Sequence, residues 1–176
     1  TPQQLYRVIG FYPSEVCKLV PQIKQRLGAF PELSPISPEQ ERDRLFEAVS
    51  QFITNISREA PLLVVLDDLQ WTDQSSLLLL NYVARGIQKE SLLLLGEYRD
   101  TEVDKGHPLF PIRTELNRER LLRSIHLKRM SMQDLEEMIK QILGQEVPRG
   151  FCELVYEKTR GNPFFHEDVR KALMEE

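Results

Sequence analysis

Between Ser37 and Glu59 the apolar residues Leu45, Val49, Phe52, Ile53 and Ile56 stand at i, i+4, i+7, i+8 and i+11, which is one face of an α-helix. The start of that helix is marked by Ser37, by Pro38 at the first helical position and by Gln40 three residues after Ser37, a capping box. Residues 38 to 59 therefore predict a helix of about 30 Å at about 1.5 Å per residue. The pattern then changes. Leu62–Leu66, "LLVVL", is continuously apolar and runs straight into Asp67 and Asp68, as a strand covered on both faces of a parallel sheet would. Asp73 is placed to cap a following helix with Leu77, Leu80, Ala84 and Ile87 on its inward face, and "SLLLLGEYRD", residues 91 to 100, is a second continuous run ending in charge. Strand, helix, strand implies a parallel pair joined by a right-handed crossover. A further helix carries Leu109, Ile112 and Leu116, and "RSIHLKR", residues 123 to 129, is a third, shorter strand candidate with Ile125 and Leu127 on one side.

The ends of the chain read as helical. Ser14 is a candidate cap for "SEVCKLV", Pro21 breaks or kinks the next stretch, Gly28 closes "QIKQRLG", and "AFPELSPISP" is a proline-rich loop. Ser131 with Asp134 starts a helix that Gly144 ends, and two more are expected around 149 to 160 and 164 to 175, separated by Gly161, Asn162 and Pro163. The expected fold is thus α/β: a parallel sheet of about three strands flanked by helices over residues 1 to 130, followed by a small helical lid over 131 to 176.

Composition narrows the class. The chain has 176 residues, enough for one domain with a core, and it contains no apolar run long enough to span a bilayer. Its 27 acids and 23 bases are mixed along the sequence, so no basic face points to direct nucleic-acid contact. Cys17 and Cys152 stand in no metal-ligand or redox spacing and read as small apolar residues in a reducing cytoplasm. The first residue is Thr1 rather than a methionine, which suggests a piece of a longer polypeptide.

The chemistry concentrates where the two long apolar runs end. Ligands of open parallel sheets bind at the carboxyl ends of the strands. An acid fixed there can carry Mg²⁺ beside a triphosphate, and its neighbour can orient a water for attack on the terminal phosphorus. Arg99, ending the second run, can hold phosphate oxygens bidentately. Plainer readings stand beside these. A buried strand has to surface somewhere and acids are common there; Arg99 and Asp100 can be a surface ion pair; Trp71 reads as a packing residue; and "GNPFF" can be a turn between helices. His107, His126 and His166 share no metal-ligand spacing.

In combination, "LLVVLDDLQWTDQSSLLLLNYVAR", "LLLLGEYRDTEVDKGHPL" and "YEKTRGNPFFHEDVRKAL", with "ERDRLFEAV" ahead of them, resemble the ATPase module of the STAND class, signal-transduction ATPases with numerous domains. The nearest likeness is to the bacterial P-loop modules, of the AAA type, fused to cyclases, Ser/Thr kinases and LuxR-type regulators. The resemblance implies Walker B roles for Asp67, as the Mg²⁺ partner, and for Asp68, as the water-activating acid. It implies that Arg99 senses the γ-phosphate and that Gly161, Asn162 and Pro163 form the lid turn near the adenine. The cofactors it implies for an intact module are ATP or ADP and Mg²⁺.

The departure from that family is the phosphate loop. No G-x-x-x-x-G-K-[ST] occurs anywhere in the 176 residues, and in the family it lies upstream. The expectation is a part of a P-loop core lacking Walker A, inactive by itself and binding ATP weakly or not at all. Its partners would be the missing upstream segment and output domains of the same protein, with oligomerisation through an exposed sheet edge as a further route. The function expected is that of an ATP-driven switch in a multidomain transcription regulator, cyclase or kinase. The alternative is a nucleotide-independent interaction scaffold with a degenerate ATPase fold. A stand-alone metal hydrolase would need more ligands than can be placed near Asp67.

Overall fold

The computed structural model describes residues 1–31 and 34–162. The chain divides into two compact units, Thr1–Arg123 and Ser124–Glu176. In the first, α1 (Pro2–Val8), α2 (Pro13–Leu19), α3 (Pro21–Leu27) and α4 (Pro38–Glu59) precede β1 (Leu62–Leu66), α5 (Gln74–Gly86), β2 (Leu92–Gly96) and α6 (Leu109–Arg118). The second contains α7 (Met132–Leu143) and α8 (Arg149–Thr159). No helix among the described residues is long and apolar enough to cross a membrane.

Local signals account for most helix ends. Ser37 accepts from the Gln40 backbone N–H at 3.3 Å while the Gln40 side chain accepts from the Ser37 N–H at 3.2 Å, so α4 begins with a complete capping box. Asp73 accepts from the Ser75 and Ser76 backbone N–H groups at 2.9 and 3.1 Å and starts α5. Gly28 and Gly144 end α3 and α7. Ser14 does not cap α2 as expected. Pro13 occupies the first helical position, and the Ser14 hydroxyl donates to the Pro31 carbonyl at 2.9 Å.

Helix α4 packs against α1 and α2 on one side and α5 on another, and no residue from Arg44 to Ser57 is exposed. A buried carboxylate locks α2 to it: Glu15, 1% exposed, accepts from Arg44 Nε at 2.8 Å and pairs with Lys18 at 2.7 Å. The Tyr82 hydroxyl of α5 donates to Glu47 of α4 at 2.6 Å, a bond that, with burial, pushes the phenol up to about 12. Two apolar clusters fill this unit. Ile9, Val16, Ile23 and Ala48 form one. Leu69, Leu77, Val103, Leu109, Ile112 and Leu116 form the other, with Leu66 and Tyr98 packed on it. The second cluster lies directly beneath the strand tips.

The sheet differs from expectation in two ways. Among the described residues it has two strands, β1 and β2, parallel and paired from Leu62↔Leu92 to Leu66↔Gly96. Residues 123 to 129 form no third strand: Ile125 and Leu127 are 76% and 87% exposed in a segment without regular structure. An extended segment becomes a strand only when a neighbour satisfies its ladder, and no strand among the described residues pairs with it. Secondly, only one face is covered. Leu62, Val64, Leu66, Leu92 and Leu94 are half-buried, whereas Leu63, Val65, Leu93 and Leu95 alternate with them on the exposed face. A continuous apolar run thus yields one dry face and one wet one, because no helix of the described residues packs on the second.

In the second unit, Leu135, Ile139, Cys152 and Val155 form the core between α7 and α8. The Ser131 hydroxyl and Asp134 make a reciprocal capping box at the start of α7. Both cysteines are free thiols within apolar surroundings, and burial raises their pKa values. Pro163, His166 and the helix expected over 164 to 175 lie outside the described residues.

The one-sided sheet and the α5 cap each generate a test. Leu77→Ala should cost about 2 to 5 kcal/mol and Leu93→Ala no more than about 0.5 kcal/mol, read by denaturant unfolding; equal costs would mean that the outer face is covered. The Ser76 hydroxyl and backbone N–H hold the Asp73 carboxyl below its ordinary value. A depressed folded-state pKa stabilises above the unfolded value and loses that contribution as pH falls. Asp73→Ala should therefore lower the melting temperature at neutral pH, with the gap to wild type narrowing in acid below the ordinary aspartate range.

Candidate functional site

The register of the two strands decides which side chains meet. Leu66 faces Gly96 at the last ladder position, and the pairing continues past both strands, the Glu97 N–H donating to the Leu66 carbonyl at 2.8 Å and the Leu69 N–H to the Glu97 carbonyl at 2.9 Å. The glycine leaves room for Leu69: a Cβ at Gly96 would lie 2.6 Å from Leu69 Cδ1, so the leucine side chain would have to shift. Residues 67 to 71 and 97 to 102 are thereby held side by side.

Beyond Leu66 the backbone turns sharply. Asp68 is left-handed, φ 54° and ψ 42°, a conformation that Asp and Asn tolerate better than most residues. Asp67 Oδ1 accepts from the Asp68 N–H at 2.8 Å, and a short 3₁₀ turn, Leu69–Trp71, follows. The two acids therefore take different environments. Asp67 is exposed with one oxygen on a backbone N–H, and Asp68 is half-buried with Oδ1 accepting from Gln70 Nε2 at 2.7 Å.

Arg99 faces them from the tip of β2. Its Nε stands 4.0 Å from Asp68 Oδ1, its Nη1 donates to Glu102 at 3.3 Å, and its guanidinium lies 5.4 Å from the centre of the Trp71 ring. Trp71 is 67% exposed and so is no packing residue; it is a platform for the arginine. The Arg99 side chain is 61% exposed, and exposed pairs of this kind contribute little to stability. An anionic ligand can displace them at small cost.

Two supporting residues were not singled out from the sequence. Gln70, 6% exposed, accepts from the Arg99 N–H at 3.1 Å as well as donating to Asp68. His107 Nε2 lies 2.9 Å from the Gln70 carbonyl, and its Nδ1 accepts from the Leu109 N–H at 3.1 Å at the start of α6. One imidazole tautomer satisfies both contacts, with the proton on Nε2. The only signal in the sequence was a polar residue, Gln70, between two apolar ones in "DDLQWTD". Below them Arg113 donates to the Tyr98 hydroxyl and lies over the Tyr98 and Phe110 rings.

Asp68 and Arg99 are thus brought together, with Asp67 bonded to the Asp68 N–H on the same turn. Gly161 and Asn162 belong to the second unit. There the chain turns through left-handed Arg160 and Gly161, the Asn162 N–H donates to the Thr159 carbonyl at 3.0 Å, and the Met130 N–H donates to the Gly161 carbonyl at 2.9 Å. A side chain at Gly161 is excluded: a Cβ would stand 2.3 Å from the Met130 carbonyl oxygen. Among the described residues no group of three or more His, Cys, Asp or Glu side chains is arranged to hold a metal ion by itself.

Comparison with known proteins bears on the half of the chain that holds both strands. No curated protein and no solved structure matches the sequence. The family model described as "AAA ATPase domain" matches residues 7–95, from α1 to the penultimate residue of β2. That match spans half of the chain and includes the acidic strand, its capped helix and the neighbouring parallel strand, and the chain accordingly belongs to the AAA ATPase domain family.

Proposed function

We propose that this chain is the acidic-strand and sensor-strand part of a signal-transduction ATPase of the STAND class, in which ATP binding and hydrolysis switch a multidomain regulator. The observation that carries the reading is the convergence of Asp67, Asp68 and Arg99 at the carboxyl ends of two parallel strands in register. Family membership supports a nucleotide-binding module.

The donor set suits a hard divalent cation. Mg²⁺ takes one or two protein carboxylates and completes its shell with water and phosphate oxygens. Asp67, exposed and with its second oxygen remaining beyond the backbone bond, is the residue that would hold it. When bound, the cation neutralises charge developing on the transferring phosphoryl group. Asp68 has the complementary position: Gln70 occupies Oδ1, leaving the other oxygen to accept a proton from an attacking water. Arg99 is held by Asp68, Glu102 and the Trp71 face only through weak contacts, which a γ-phosphate would exchange for a charge-assisted pair. By the family resemblance, Gly161, Asn162 and Pro163 would be the lid turn of the intact module.

Phosphate binding would come from a glycine-rich loop that these 176 residues do not contain. The chain alone should accordingly bind ATP weakly, because acids without an amide nest repel phosphates; micromolar affinity in calorimetry would overturn this. In the full-length protein, Asp68→Asn should lower ATP turnover by about 10²- to 10⁴-fold with KM for ATP little changed. Unaltered turnover would remove Asp68 from the water-activating role and leave the scaffold reading in its place.

A further inference from the structure

We propose that Gln70 is a positioning residue whose carboxamide joins the tip of β1 to the tip of β2, fixing the Asp68 carboxylate relative to the Arg99 backbone. This deepens the proposed ATPase function and rests on it for the roles of Asp68 and Arg99, but the coupling itself stands on geometry. Gln70 Nε2 donates to Asp68 Oδ1 at 2.7 Å, and Gln70 Oε1 accepts from the Arg99 N–H at 3.1 Å. The orientation of the amide is dictated by its partners. A carboxylate only accepts and a backbone N–H only donates, so a flipped amide would face acceptor with acceptor and donor with donor.

The surroundings hold the amide in place. Gln70 is 6% exposed, its carbonyl meets His107 Nε2 at 2.9 Å, and the Trp71 N–H donates to the Asp68 carbonyl at 3.0 Å to close the turn. A buried polar group without partners is costly, so both bonds are strongly favoured. Few other side chains can replace it. Glutamate lacks the donor and would set a second carboxylate against Asp68, methionine lacks both functions, and lysine lacks the acceptor. Asparagine is one methylene too short to span the same two partners.

The consequence is a division of labour at Arg99. Its backbone is tied to Asp68 through Gln70, while its guanidinium rests on Glu102 and Trp71 with Nε at 4.0 Å from Asp68 Oδ1, the oxygen that Gln70 holds. The guanidinium can leave for an anion without releasing the acid. Asp68 keeps one oxygen engaged by Gln70 in both situations and presents the other in a constant direction.

Trp71 is the only tryptophan and stands under the arginine, so it reports the arrangement independently of catalysis. The experiment compares acrylamide quenching of Trp71 in the 176-residue chain with ATP turnover of the full-length protein for Gln70→Met, Gln70→Glu and the exchanged pair Asp68→Asn with Gln70→Glu. Circular dichroism and melting temperature accompany each variant. Both single Gln70 variants should increase quenching, as the strand tips loosen and Arg99 uncovers the ring. Both should also lower kcat by about ten- to a hundredfold with KM for ATP unchanged. In the exchanged pair the amide at 68 donates to the carboxylate at 70, which still accepts from the Arg99 N–H. Quenching should return to the wild-type value there while turnover stays low, since the amide cannot take a proton. Wild-type quenching in both single variants, or an exchanged pair that fails to restore it or to fold, overturns the proposal. If quenching follows the expectation but Asp68→Asn leaves turnover intact, the coupling holds and the ATPase roles fail.

Discussion

The parallel ladder between β1 and β2 is the constraint on which the rest of the first unit depends. Five paired positions set the register, and two further backbone bonds through Glu97 carry it beyond the strands. A slip of one residue would reverse every side chain and move Leu62, Val64 and Leu66 to the wrong face. The slip is opposed from below, where Leu66 and Leu69 sink into the cluster around Leu77 and Leu116, and at Gly96, where the Leu69 side chain packs against the missing Cβ. The acids and the arginine meet because packing beneath them permits one register.

Electrostatics at the tips follow a different rule from electrostatics in the helical layer. Glu15 is sealed between Arg44 and Lys18, and removing one partner of such a pair strands a buried charge. Arg99 has weaker, exposed partners in Asp68, Glu102 and the Trp71 ring. Such contacts orient a side chain without committing it, which suits a group that must answer to a ligand. The fixed component is the carboxamide of Gln70, buried and bonded at both ends. A tethered acid and a loosely held arginine thus stand side by side on two neighbouring strand tips.

How legible all this was depended on range. The α4 capping box, the Asp73 cap and the closures by Gly28 and Gly144 were readable because each involves residues within four positions of one another. The apolar runs that became β1 and β2 were readable for the same reason. Ser14 misled because its hydroxyl found a distant carbonyl, that of Pro31, instead of its own helix. Residues 123 to 129 have the alternation of a strand but no neighbouring ladder, and alternation cannot supply one. Gln70 was invisible as a site residue because its meaning lies in two partners, one of them 29 residues away.

By itself the sequence determined the capped ends of α4, α5 and α7, the order of strand, helix and strand, and the presence of two acids and an arginine at the ends of apolar runs, since these rest on local backbone and capping chemistry. Tertiary structure alone decided which face of the sheet is dry, that Asp68 turns left-handed while Asp67 does not, and that Gln70 joins the two tips. Those outcomes require groups distant in sequence to compete for the same buried space and the same hydrogen bonds, and that competition is resolved only when the strands pair.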